Sequence, residues 1–228
     1  VYMPDAHADC PMAHMVTIEN IKKMREKYDD LAVVCYINST AEIKTYSDVC
    51  VTSSNAVKIV NKLPNKNIFF IPDQNLGSYV ATQVKDKNII LNSGFCPRHH
   101  IMTKEDVLNA KKEHPNALVA VHPECKPEVL GEADYIGSTS GIIDYIVGND
   151  AKEFIVGTVD GVYATILKQA PDKKLYNVVR TQVCPNMKLN SLEKIIHVLE
   201  TGENEVFLDE EFMNKAKAPL ERMLELAK

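Results

Sequence analysis

Three Cys-Pro dipeptides, at Cys10, Cys96 and Cys184, recur at intervals of 86 and 88 residues. Thiolates are metal ligands, and three of them carried by one repeated dipeptide point to a shared metal centre. Structural zinc takes four ligands from closely spaced pairs such as C-x2-C, and the chain has none. Three thiolates without a fourth suit a [4Fe–4S] cluster with one iron left open to substrate. The competing reading is that cysteines are small buried apolar residues. That reading is expected to hold for Cys35, inside an apolar run, and for Cys50. Cys125 lies beside a candidate catalytic pair but has no counterpart in the repeat.

The elements that must carry these thiols repeat with them. Seven residues past each cysteine stand Thr17, Thr103 and Ser191, good helix N-caps. Nine past stand Glu19, Glu105 and Glu193, favourable in a first helical turn. Eleven past come Ile21, Val107 and Ile195, which open amphipathic stripes. Twenty-one past, apolar runs begin near Leu31, Ala117 and Glu205, the last over Glu205–Leu208, and each is expected to be a buried strand. The first two copies continue in step through Asp48 and Asp134, read as turn or helix-support residues, to strands at Phe69-Phe70 and Ile155-Val156. Helices follow over about 75–85 and 161–169, then strands at Ile89–Leu91 and Leu175–Asn177.

Alternating strands and helices predict α/β units with parallel sheets and right-handed crossovers. The expected architecture is a pseudo-threefold arrangement of three-layer αβα, Rossmann-like units around a central site. Residues 1–9 end an N-terminal unit, 10–95 and 96–183 are complete repeats, and 184–228 begin a third and add a C-terminal helix. The rest of the third unit is expected to lie upstream of Val1, the chain reading as the inside of a longer protein.

In such units ligands sit beyond the carboxyl ends of the strands. Tyr36 and Asn38 in the first copy, and His122 and Glu124 in the second, fall there two residues apart, on one side of the chain. His-x-Glu suits general acid–base chemistry, and Tyr-x-Asn suits hydrogen bonding to a carbonyl or phosphate. Strand-end capping is the plainer alternative. Thr52-Ser53-Ser54 and Ser138-Thr139-Ser140 are hydroxyl turns at helix starts, matched to anionic groups. His99 follows the second Cys-Pro, as a donor to substrate or sulfur or as a surface residue. Lys188 brings positive charge near the third thiol.

With 228 residues, 45% hydrophobic and 25% charged, and a formal charge of −5, the composition is that of a globular protein. The charge disfavours a nucleic-acid groove or an anionic membrane surface as main partner. No stretch approaches a membrane span, no signal peptide opens the chain, and six sparse cysteines fit a reducing compartment.

Several segments together resemble the quinolinate synthase family. They are Asp9–Ala13, Tyr36–Lys44, Thr52–Ala56, Pro72–Gly77, His122–Cys125, Ala133–Thr139 and Cys184–Lys188, spread from end to end. The resemblance implies three pseudo-symmetric α/β domains around a [4Fe–4S] cluster held by Cys10, Cys96 and Cys184. It implies condensation of iminoaspartate with dihydroxyacetone phosphate to quinolinate, for NAD biosynthesis, in the cytoplasm. Iminoaspartate would be supplied by an aspartate oxidase or dehydrogenase, with no nucleic-acid or membrane partner. Tyr36 and Asn38 become substrate-binding groups, Tyr36 also serving catalysis, and Ser53, Ser138 and Thr139 grip phosphate or carboxylate. His122 and Glu124 become the acid–base pair, with His99, Thr158 and Lys188 contacting substrate. Two departures stand out. The family's N-terminal domain, with an early His and Tyr, is not in these residues. Gly157-Thr158-Val159-Asp160 replaces the usual Gly-Thr-Glu, moving the acid by one position. The rival reading is a non-catalytic fragment or an anion-binding iron–sulfur module.

Overall fold

The computed structural model describes all 228 residues, Val1–Lys228. Cys10 leads into a short 3-10 turn, Pro11–His14, and then helix α1 (Ile18–Lys27), whose start is fixed by Thr17 accepting the Asn20 N–H. The apolar run Leu31–Tyr36 forms β1, buried at every position. After it come α2 (Ala41–Lys44), β2 (Val49–Val51), α3 (Ala56–Lys62), β3 (Asn67–Ile71), α4 (Gln74–Gln83) and β4 (Asn88–Leu91). The second copy opens with α5 (Pro97–His100) and α6 (Lys104–Glu113), the latter closed by a reciprocal Thr103–Asp106 capping box. It continues through β5 (Leu118–Val121), α7 (Pro127–Leu130), β6 (Tyr135–Ile136), α8 (Thr139–Gly148), β7 (Glu153–Gly157), α9 (Val162–Gln169) and β8 (Lys174–Asn177).

Two parallel four-stranded sheets result, ordered β2-β1-β3-β4 and β6-β5-β7-β8. Their registers are the same after a shift of 86 residues. Val33 pairs with Phe69 and Val119 with Ile155; Val34 pairs with Val49 and Ala120 with Tyr135; Phe69 pairs with Ile90 and Ile155 with Tyr176. Asp48 and Asp134 are equivalent in role too. Each accepts a strand N–H through Oδ2, from Val33 at 2.7 Å and from Val119 at 2.8 Å. Both therefore tie the loop before an edge strand to the central one.

Alternation along the strands separates the layers. In the second sheet Val119, Val121 and Ile155 face α6 and α7, while Ala120, Phe154 and Val156 face α8 and α9. Helices cover both faces, as strands apolar at successive positions require. The fold is α/β, and no helix is long and apolar enough to cross a membrane.

The third copy diverges after its helix. Ser191 caps α10 (Leu192–Thr201) by accepting the Lys194 N–H, as Thr17 and Thr103 cap theirs. The expected strand at 205–208 is not formed. That segment makes one antiparallel bridge, Tyr2 to Glu205, and Phe207 is 80% exposed. A parallel strand needs neighbours on its edges, and none flanks this one. Leu192 and Leu199, on the α10 face that would cover a sheet, are likewise exposed. The last helix, α11 (Glu210–Leu226), turns back to the first unit instead. Its Met223 is buried in that core, and Lys58 and Lys62 donate to the carbonyls of Ala227 and Leu226 at its C-terminal end.

Candidate functional site

Beyond the carboxyl ends of the two sheets lies a cavity of about 760 Å³. Cys10, Cys96 and Cys184 all line it, together with Tyr36, Asn38, His99, His122, Glu124, Thr139 and Thr158. Three residues named from sequence lie off this wall. Ser53 stands behind it, its Oγ 3.2 Å from His122 Nε2. Ser138 caps α8 by accepting the Gly141 N–H at 3.2 Å. Lys188 is exposed and pairs with Asp160 at 3.7 Å. Cys35, Cys50 and Cys125 are core residues.

Glu124 is the electrostatic centre of the cavity. Its Oε2 accepts from His99 Nδ1 at 2.7 Å and lies 3.6 Å from His122 Nδ1. Burial alone would raise its pKa. The hydrogen bond and charge of His99 lead the opposing causes, with His122 adding only when protonated and Tyr36 helping, and together they hold the carboxyl at about 2. The Tyr36 hydroxyl lies against the same carboxylate and favours its ionised form, while Oε1 is buried and has no hydrogen-bond partner. Burial, and then the Glu124 charge, push Tyr36 well above the ordinary phenol range. Tyr36 is thus a proton donor, and Glu124 a carboxylate with one free acceptor.

His122 is held neutral. Its Nδ1 accepts the Glu124 backbone N–H at 3.3 Å, which leaves Nε2–H to donate to Ser53. Burial lowers its pKa to about 4, with Glu124 opposing and His99 adding to the drop. In the unfolded chain the ring protonates below about 6.5, so between 6.5 and 4 the unfolded state binds more protons. Stability from this group is therefore complete above pH 6.5 and is lost as pH falls toward 4, by up to about 3 kcal/mol. Urea unfolding of the parent and of His122→Asn at pH 7 and pH 5 isolates this loss as the difference between them, because Asp73, raised to about 7, shifts stability the opposite way in both. An unchanged slope in the variant would assign the loss to another group.

Two buried side chains that sequence reasoning passed over hold the cysteine loops in place. Asp73 accepts the Leu76 N–H through Oδ1, capping α4, and the Cys96 N–H through Oδ2 at 3.0 Å. Burial and the Glu124 charge raise it to about 7 against those donors. Gln182, two residues before Cys184, is fully buried; it donates to the carbonyls of Val156 and Thr158 and accepts the Val179 N–H. Gly94 occupies the same place before Cys96. A Cβ there would come within 2.7 Å of the Pro72 carbonyl oxygen, so only glycine lets this loop approach. The residues two places before the three Cys-Pro pairs, Ala8, Gly94 and Gln182, share no chemistry, so the spacing carried no signal for Gln182. Asn75 joins the sheets, donating to the Glu124 carbonyl at 2.9 Å.

The donor chemistry fits an iron–sulfur group. The three thiols are half-buried and free, and burial raises the Cys10 and Cys96 pKa values, so a cation must displace their protons. Fold and cavity together describe an α/β protein whose candidate site lies beyond the carboxyl ends of two parallel sheets.

The family described as Quinolinate synthetase A protein matches residues 1–225, and the chain belongs to the quinolinate synthase family. It is 60% identical to a quinolinate synthase of Fusobacterium nucleatum, over all of this chain and 76% of that protein. It is 49% identical to that of Caldicellulosiruptor saccharolyticus, over all of this chain and 75% of that protein. Against quinolinate synthase 2 of Methanosarcina acetivorans the identity is 46%, over all of this chain and 73% of that protein.

Proposed function

We propose that the chain forms quinolinate from iminoaspartate and dihydroxyacetone phosphate, for NAD biosynthesis in the cytoplasm. The observation that carries the reading is the convergence of Cys10, Cys96 and Cys184 on one cavity with the His99–Glu124–His122 set. When bound to those three thiolates, a [4Fe–4S] cluster supplies a Lewis-acidic open iron. Glu124, kept ionised by its contact with His99, takes the proton lost from the condensing substrate at Oε1, the atom with no other partner. Tyr36 donates its hydroxyl to a substrate oxygen, and Asn38 and Thr158 orient the same portion. His99, bridging Glu124 and Thr158, carries the proton toward the hydroxyl that leaves as water. Ser53 fixes the His122 ring.

Thr139 at the α8 start faces an anionic group of the substrate, with Ser138 shaping that turn and Lys188 adding positive charge at the rim. Iminoaspartate is short-lived in water, which supports supply from an aspartate oxidase or dehydrogenase. The repeats 10–95 and 96–183 would form two units of a pseudo-threefold ring. A third begins at 184–228, and the bare apolar face of α10 supports it.

Anaerobic reconstitution tests the whole reading. About four irons per chain are expected, followed by quinolinate when dihydroxyacetone phosphate is added with iminoaspartate made in situ. Failure to take up iron would sink the proposal. Iron uptake without product would favour an anion-binding iron–sulfur module.

A further inference from the structure

A second donor set overlaps the three thiols at one residue only. Cys96 Sγ, His99 Nδ1 and a Glu124 carboxylate oxygen lie within 4.8 Å of one another. Nδ1 is 2.7 Å from Oε2 and 3.1 Å from Sγ. Cys96 and His99 come from the N-cap and body of α5 after β4, and Glu124 from the loop after β5; Asp73 and Asn75 pin these segments. Glu124 Oε1, 3% exposed as a residue and without any partner, is the independent sign of a missing ligand. A buried acceptor left bare is costly, and a cation satisfies it.

We propose that, without its cluster, this protein binds one zinc-class divalent cation at Cys96 Sγ, His99 Nδ1 and Glu124. While bound, that ion withholds Cys96 from cluster assembly. Charge favours a dication, since one thiolate and one carboxylate cancel it in a buried site. Thiolate plus imidazole selects Zn2+ or Co2+ over Mg2+ or Ca2+. Three protein ligands leave the fourth tetrahedral position to water. Tetrahedral coordination separates ligand atoms by about 3.3 Å, so the set must open by a few tenths of an ångström.

The Cys96 thiol gives one proton to solvent, and a His99 imidazolium gives its Nδ1 proton as well. A neutral His99 instead shifts its ring proton to Nε2. Either way Nε2–H then donates to Thr158 Oγ1, 3.1 Å away. His122 is not a ligand, because its Nδ1 is engaged by the Glu124 N–H.

The test uses the full chain, anaerobic and freed of iron, titrated with Co2+. One equivalent should produce a thiolate-to-cobalt charge-transfer band that Zn2+ removes and Mg2+ does not. Cys96→Ser should lose the band, and His99→Ala should weaken binding by more than about tenfold. Cys10→Ser should keep it, since Cys10 belongs to the cluster set alone. In the unsubstituted protein, Zn2+ should shield Cys96 from iodoacetamide while leaving Cys10 and Cys184 reactive, which peptide mapping reads without any folding question. Absence of the thiolate band, equal shielding of all three cysteines, or loss of the band in Cys10→Ser would overturn the site. The block on assembly rests on the cluster reading above, and Zn2+-loaded protein should take up iron and sulfide more slowly. If zinc-free protein also fails to assemble a cluster, that reading falls, while the cobalt result judges the site by itself.

Discussion

Glu124→Gln will retain its iron and lose quinolinate formation by roughly 10²–10⁴-fold, the range of one positioned acid–base group. The substitution keeps shape and burial but removes the charge that His99 supports, and it puts a neutral amide in the cavity wall. The effect should fall on kcat with little change in KM, because the carboxylate acts on a moving proton and not on substrate affinity. Iron content, visible absorbance and single-turnover rate are the measurements. Turnover within about threefold of the parent would remove Glu124 from the acid–base role.

The second large effect concerns the thiols. Cys96→Ser should lose the iron chromophore and all product, while Cys35→Ser keeps both. The two cysteines differ by position and not by chemistry. Cys35 is sealed in β1 opposite Cys50 in β2, within the first core. Cys96 stands in a loop over the cavity, its backbone N–H tied to Asp73. Iron and sulfide analysis after anaerobic reconstitution separates them. Loss of iron in Cys35→Ser together with full iron in Cys96→Ser would refute the equivalence of the Cys-Pro sites. Equal loss in both would show that packing around the thiols, and not ligation, governs iron content.

The two cysteine classes also show how far the residues alone could lead. Spacing from each Cys-Pro was enough to place Thr17, Thr103 and Ser191 at helix starts and to align Val33–Phe69 with Val119–Ile155. Capping and apolar periodicity are local properties, and a repeat exposes them twice. The pairs Tyr36/Asn38 and His122/Glu124 were legible for the same reason, as polar residues straight after a buried run. The strand expected at 205–208 failed because strand formation is not local: its hydrogen bonds must come from neighbours absent around it. The same holds for α11, whose amphipathic pattern announced a helix but not that it would pack on the first unit.

By itself, then, the sequence determined the repeat, its helix caps, the separation of loop cysteines from core cysteines, and the polar residues at the strand ends. Tertiary structure alone decided that His99 bridges Glu124 and Thr158, that Glu124 keeps one bare oxygen, and that Asp73 and Gln182 secure two cysteine loops. Those contacts join residues as far apart as His99 and Thr158. Burial and distance across the cavity set their protonation, and neither quantity is written in local spacing.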